Sequence, residues 1–236
     1  MPIYDFDGAV HTEVGKLFDF DGTLVDSMPA FISVMKRILD EHGISYSDDI
    51  VKIITPLGYH GTAAYFRTLG ISTPTEQLIE QMNQYAHPAY LYDIPAKADV
   101  IETLQALKQQ GASLNVLTAS PHAVLDPCLK RIGIWELFDH VWSCDDFQTT
   151  KADPTIYLMA AERLGQRVED VIFVDDNVNA VRTARQAGMR AWGIYDDSSR
   201  DCVDEMKQTA HRYVTAFDEL LKPYHISEGE TMKFRI

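Results

Sequence analysis

The residues in this chain best equipped for chemistry are paired aspartates. The tetrapeptide DFDG occurs twice, at Asp5 to Gly8 and at Asp19 to Gly22. In each copy two carboxylates stand two residues apart, so on an ideal strand they share a face. Two unit charges about 4 Å apart repel by roughly 4 kcal/mol at an effective dielectric of about 20, so such a pair calls for a cation or a shared proton. That is the equipment of metal-assisted or acid–base chemistry, although a bare DxD is more often a solvated turn.

Flanking residues choose between the copies. VGKLF precedes the second copy and TLVDS follows it. Asp19 and Asp21 are thereby placed at the carboxyl end of a central strand, where open α/β sheets bind their ligands. The first copy has only Met1 to Tyr4 before it, and Ala9 to Glu13 leave no room for a crossover helix, so it reads as an edge strand or hairpin arm.

The elements that must position these carboxylates follow an α/β rhythm. Apolar runs of strand length (Val14 to Phe20, Ser113 to Thr118, His140 to Ser143, Val171 to Asp175, Arg190 to Ile194) alternate with helical patterns. Those patterns cover Ala98 to Gln110, Pro121 to Ile132, Pro154 to Leu164 and Val178 to Ala187, each ending at or near a glycine stop. The spacing predicts a Rossmann-like core with a parallel sheet. Between Ser27 and Pro95 only helical patterns occur (Phe31 to Glu41, Thr62 to Leu69, Glu76 to His87). Residues 28–95 therefore read as a helical insertion after the first catalytic strand, with YDIPA at Tyr92 to Ala96 as its return hinge, and residues 1–27 and 96–236 as the core.

DFDGTLVDS, Asp19 to Ser27, resembles the first motif of the haloacid dehalogenase-like hydrolase superfamily, in its branch of capped phosphatases and beta-phosphoglucomutase relatives. The later motifs of that superfamily have counterparts in the same order: LNVLTAS with Thr118, TTKADPTIYLMAAERLG with Lys151, and IFVDDN with Asp175 and Asp176. Two departures are Ala152, where many relatives have Pro after the lysine, and Ala180, where GDSxxD relatives have a further Asp.

The resemblance implies a Mg²⁺-dependent phosphatase. Asp19 would attack phosphorus and carry the phosphoryl group, and Asp21 would serve as acid and then base. Thr118, the backbone at Ala119 and Lys151 would hold the phosphoryl oxygens. Asp19, Asp21 through its carbonyl, Asp175 and Asp176 would bind the metal, whose preference is for hard oxygen ligands. The insertion would be a cap that selects the leaving group, with its contact loop at Thr55 to Thr62. Tyr59 and His60 in that loop, and His122 beyond the second motif, are the candidate selecting residues.

A phosphosugar mutase is the nearest rival. Mutase relatives carry a cap-side His where this chain has Phe31, which favours the phosphatase. A phospho-aspartyl signalling module or a catalytically idle binding protein is the rival of another class. Receiver domains place the acidic pair first, and the intact Asp19, Asp21 and Lys151 argue against an idle relative.

Composition suits a globular protein, and the small phosphorylated metabolite expected as substrate is what the resemblance implies. The 236 residues are 46% hydrophobic, and 35 acidic against 21 basic side chains give a formal charge of −14, which repels nucleic acid and anionic membranes. Cys128, Cys144 and Cys202 are far apart and suggest neither a disulfide framework nor a zinc site. With no signal-like start and no apolar run of membrane length, the expectation is a cytoplasmic monomer or weak homodimer.

Overall fold

The structure is a computed structural model that describes residues 3–4, 10–11, 15–47, 49–54 and 57–222. Asp5 to Gly8, the first DFDG copy, lies outside the described residues. On either side of it, β1 (Ile3–Tyr4) and β2 (Val10–His11) pair antiparallel, with Ile3 opposite His11 and Tyr4 opposite Val10.

The central element is β3 (Gly15–Phe18), which ends directly before Asp19. Four helices follow it: α1 (Met28–Glu41), α2 (Ile50–Ile54), α3 (Gly58–Thr68) and α4 (Thr75–Tyr92). The α/β rhythm then resumes with α5 (Val100–Gln109), β4 (Ser113–Thr118), α6 (His122–Arg131) and β5 (His140–Ser143). It continues through α7 (Thr155–Arg163), β6 (Ile172–Asp175), α8 (Val178–Gln186), β7 (Arg190–Ile194), α9 (Val203–Thr209) and β8 (Arg212–Val214).

Strands β3 to β8 form one parallel sheet in the order β5-β4-β3-β6-β7-β8. From β3 the chain fills one side and then crosses back to fill the other. The switch point thus lies at the carboxyl end of β3, where a crevice opens between diverging connections.

Both faces of the sheet are buried, as a parallel sheet requires. Phe18, Val116 and Val174 pack on one face with Leu104 and Leu125. Their neighbours Leu17, Leu117 and Phe173 pack on the other with Ile156, Tyr157 and Val181. The first core continues without a break into the inserted helices, through Met35, Ile38, Phe66, Leu78 and Met82.

Two expectations need correction, and three elements were not expected. α4 runs to Tyr92 and not to His87, because Pro88 sits inside it and the buried stripe Leu78, Met82, Ala86, Tyr90 continues beyond the proline. Tyr59 and His60 stand not in a loop but on the first turn of α3, while Thr55 and Pro56 lie outside the described residues. α2, α9 and β8 had no clear periodic signal and were not foreseen. Among the described residues no helix is long and apolar enough to cross a membrane, and all three cysteines are free thiols.

Candidate active site

Asp19 is the first residue past β3, and its N–H still donates to the carbonyl of Val174 on β6 at 2.9 Å. Only 5% of it is exposed. The chain then turns sharply: the N–H of Gly22 donates to Val25, and Leu24 and Val25 donate back to Phe20. Gly22 has φ of +74°, and a Cβ there would lie 2.7 Å from an Asp176 oxygen. Only glycine both adopts that backbone and lets Asp176 approach.

Lys151 precedes α7 and reaches into the sheet edge, with Nζ 2.6 Å from Asp19 Oδ1 and 2.8 Å from Asp175 Oδ2. The other oxygen of Asp175 accepts the N–H of Asn177, the N-cap of α8, at 2.7 Å. Asp176 exchanges two hydrogen bonds with Thr23, accepting from its hydroxyl at 3.0 Å and donating its N–H to the same oxygen at 3.2 Å. Lys97, just past the return of the insertion, ties together the carbonyls of Gly22 and Tyr195 and the carboxylate of Asp196.

Asp19, Asp175 and Asp176 each offer an oxygen within 4.8 Å of the others, and all three are buried. Burial pushes the Asp19 carboxyl up; Lys151 pulls it back, Asp175 and Asp21 push it further, and it comes to about 7. Asp176 is raised well above the carboxylate range by burial and then by Asp175 and Asp19. Burial alone would lower Lys151, but Asp175 and Asp19 more than offset this and hold it protonated. Among the described residues Lys151 is the ammonium in direct contact with this trio, while Lys97 acts on Asp176 from farther off, so the three buried carboxylates outweigh the positive charge beside them. The chemistry of these donors fits a hard divalent cation such as Mg²⁺.

Asp21 faces the same cleft. Its carboxylate accepts from the Tyr90 hydroxyl at 2.6 Å and from the Ser120 hydroxyl at 2.5 Å. Thr118, buried at the end of β4, accepts the N–H of Ser120 at 3.1 Å, and Ala119 lies between them. The cleft measures about 1150 Å³ and is lined by Asp19, Asp21, Thr118, Ala119, Lys151 and Asp176 on the sheet side. Phe31, Tyr59, His60, Asn83 and Tyr90 of the inserted helices line the opposite side. Phe31 and Tyr59 stack there, ring centroids 5.6 Å apart and nearly coplanar at 8°.

Of the residues expected from sequence, Asp175 is brought close to Asp19 and Asp176 but is not among those lining the cleft, and its oxygens are taken by Lys151 and Asn177. His122 does not line the cleft either. Its two ring nitrogens are held by Asp126 at 2.7 Å and Asp146 at 2.8 Å, so it is turned into a surface ion-pair cluster. Sequence reasoning missed Ser120, Tyr90, Thr23 and Lys97. Thr23 and Ser120 lie within DFDGTLVDS and LNVLTAS, where nothing singled them out; Tyr90 and Lys97 carried no local signal.

Comparison with known proteins accords with this geometry. The model of the haloacid dehalogenase-like hydrolase family matches residues 16–194. A phosphorylated carbohydrates phosphatase of Thermotoga maritima is 26% identical, over 75% of this chain and 83% of its own length. A phosphoglycolate phosphatase of Pectobacterium atrosepticum is 27% identical, over 76% and 79%. A crystal structure described as a "predicted phosphoglycolate phosphatase" from Haemophilus somnus superposes with a TM-score of 0.76, covering 88% of this chain and 96% of that one. At 21% identity that likeness is one of fold.

Proposed function

Because the chain belongs to the haloacid dehalogenase-like hydrolases, we propose that it is a phosphatase that hydrolyses a small phosphorylated metabolite through a phospho-aspartate on Asp19. The observation that carries this reading is the setting of Asp19, buried at the end of the central strand and 2.6 Å from Lys151, with Asp21 facing the same cleft. An Asp19 oxygen forms a bond to phosphorus as the bond to the leaving oxygen breaks, and Asp21 gives that oxygen its proton. A water then attacks phosphorus and loses its proton to Asp21 as the Asp19–phosphorus bond breaks. The sum is monoester and water to alcohol and phosphate.

Lys151, the Thr118 hydroxyl and the backbone N–H at Ala119 hold the phosphoryl oxygens where charge accumulates. Asp19, the carbonyl of Asp21 and Asp176 would hold Mg²⁺, with Asp175 beside them and its oxygens engaged by Lys151 and Asn177; when bound, the ion supplies positive charge against the phosphoryl oxygens. The helices from Met28 to Tyr92, within residues 28–95, act as a cap over a core of residues 1–27 and 96–236, excluding water while the leaving group is chosen.

The cap side of the cleft favours a sugar phosphate over a phosphoglycolate-like acid. Its wall includes the stacked Phe31 and Tyr59 together with Ile32, Ile79 and Asn83, and among the described residues no cap lysine or arginine lines it. Stacked rings offer a broad apolar surface to a sugar face, and a second carboxylate would be desolvated there without a cation. Phe31 brings no proton-transferring group, which weighs against the mutase.

Phosphate release from p-nitrophenyl phosphate, a panel of sugar phosphates and phosphoglycolate, with Mg²⁺ and with EDTA, tests the proposal. Mg²⁺-dependent release is expected, with sugar phosphates preferred. Interconversion of phosphosugar isomers without release would make the protein a mutase, and no turnover of either kind would sink the enzymatic reading.

A further inference from the structure

The carboxylate of Asp21 is held by two hydroxyls from different parts of the chain, Tyr90 on α4 and Ser120 after β4. Tyr90 is 6% exposed and is itself fixed on three sides. Its ring stacks on Phe20, the residue between Asp19 and Asp21, with centroids 6.0 Å apart. Its main-chain carbonyl accepts from Arg131 of α6 at 3.2 Å, and Arg131 also binds the carbonyl of Ile94. Its hydroxyl donates to the Asp21 carboxylate at 2.6 Å.

The path of α4 explains how a cap helix reaches this point. Leu78, Met82, Ala86 and Tyr90 recur every four residues, and each step advances about 40° around a helix of 3.6 residues per turn. The buried stripe therefore winds round the helix, and its last member arrives over Asp21.

We propose that Tyr90 is a positioning residue for the reaction, fixing Asp21 where it exchanges a proton with the leaving oxygen and then with water. This rests on the reading of Asp21 as acid and base. An acid–base group must stand within hydrogen-bond reach of the atom it serves, and an aspartate free to rotate spends time elsewhere. A hydroxyl suits the task because it can donate to an ionised carboxylate and accept from a protonated one. A lysine or arginine in its place could only donate and would hold Asp21 in one state.

The test is the leaving-group dependence of kcat/KM, which reads through expulsion of the leaving group. Tyr90→Phe keeps the ring against Phe20 and removes the hydroxyl. For a simple alkyl or sugar phosphate, whose leaving oxygen needs a proton, kcat/KM should fall about tenfold or more, part of the roughly 10² to 10⁴ that acid–base catalysis contributes. For 2,4-dinitrophenyl phosphate, whose leaving group departs as the anion, it should change by less than about twofold, because no proton is required. Arg131→Lys leaves every hydroxyl of the site in place while loosening Tyr90, and should show the same pattern with smaller amplitude.

Asp21→Asn separates the two levels of the argument. If it selectively impairs alkyl phosphates while Tyr90→Phe and Arg131→Lys affect both substrate types equally or neither, Tyr90 has no positioning role and the phosphatase reading stands. If Asp21→Asn itself shows no leaving-group selectivity, the assignment of Asp21 fails and the role of Tyr90 fails with it.

Discussion

Replacing Lys151 by methionine removes the ammonium that contacts both Asp19 and Asp175. The Lys151 side chain is 14% exposed and lies within 2.8 Å of both Asp19 and Asp175, whose side chains are 7% and 0% exposed. Truncating one partner of a buried ion pair typically costs about 3–5 kcal/mol, because the remaining charge is left desolvated and unpaired. At about 2–4 °C per kcal/mol for a chain of this size, the expected fall in Tm is about 6–20 °C in EDTA at neutral pH. Asp175→Asn alone should also destabilise. The double variant Lys151→Met/Asp175→Asn should be less destabilised than the sum of the singles, by a coupling of about 1–3 kcal/mol. Phosphate release should fall by about 10² to 10³, the usual consequence of removing one stabiliser of developing charge. Thermal melts of the four proteins, with refolding controls, provide the assay. A Tm change under 2 °C, or additivity within about 0.5 kcal/mol, would refute the claim that this lysine neutralises the carboxylate cluster.

Three other perturbations probe separate parts of the account. Gly22→Ala forces a side chain into a left-handed backbone and against Asp176, so the Mg²⁺ concentration for half-maximal activity should rise about tenfold or more, with a stability loss of roughly 1–2 kcal/mol; unchanged metal dependence would contradict the tight approach. Phe31→Ala removes half of the stacked pair and should raise KM for sugar phosphates about threefold to tenfold with kcat little altered, as a loss of aromatic contact worth about 0.5–1.5 kcal/mol predicts. His122 titrates above its ordinary value: burial would lower it, but the hydrogen bonds and charges of Asp126 and Asp146 more than compensate. Its contribution to stability is therefore full below pH 6.5 and is lost as pH rises through the folded-state value. Because the ring is 40% exposed, His122→Ala should lower Tm by only about 1–3 °C at pH 5.5 and by less at pH 9; an equal loss at both would exclude the ion pairs.

Much of the framework was legible because its signals are local. The strands at Ser113, His140 and Arg190 begin and end where their apolar runs do, and the glycines at 111, 133, 165 and 188 all adopt the positive φ of helix stops. The switch-point setting of Asp19 followed from VGKLF, and the motifs at Thr118, Lys151 and Asp175 are in fact brought around it. The failures have physical causes. Pro88 removes one helix N–H, yet the packing of Ala86 and Tyr90 carries α4 past it. In β8 only Val214 is buried, and in α9 only Met206, so neither element has a periodicity to read. Tyr90 meets Asp21 across 69 residues and Lys97 meets Asp196 across 99, contacts that arise from topology and leave no mark on neighbouring sequence. His122 was placed near the site because it follows the Thr118 motif, but it opens α6 and turns toward Asp126, one helical turn on.

The central claim is that Asp19 carries the phosphoryl group. Turnover of a substrate with radiolabelled phosphate, quenched in acid and mapped by peptide mass spectrometry, measures this directly. The account predicts label on the peptide containing Asp19, removable by hydroxylamine as an acyl phosphate is, and absent from Asp19→Asn. Label on another residue, or steady Mg²⁺-dependent phosphate release by Asp19→Asn, would contradict it.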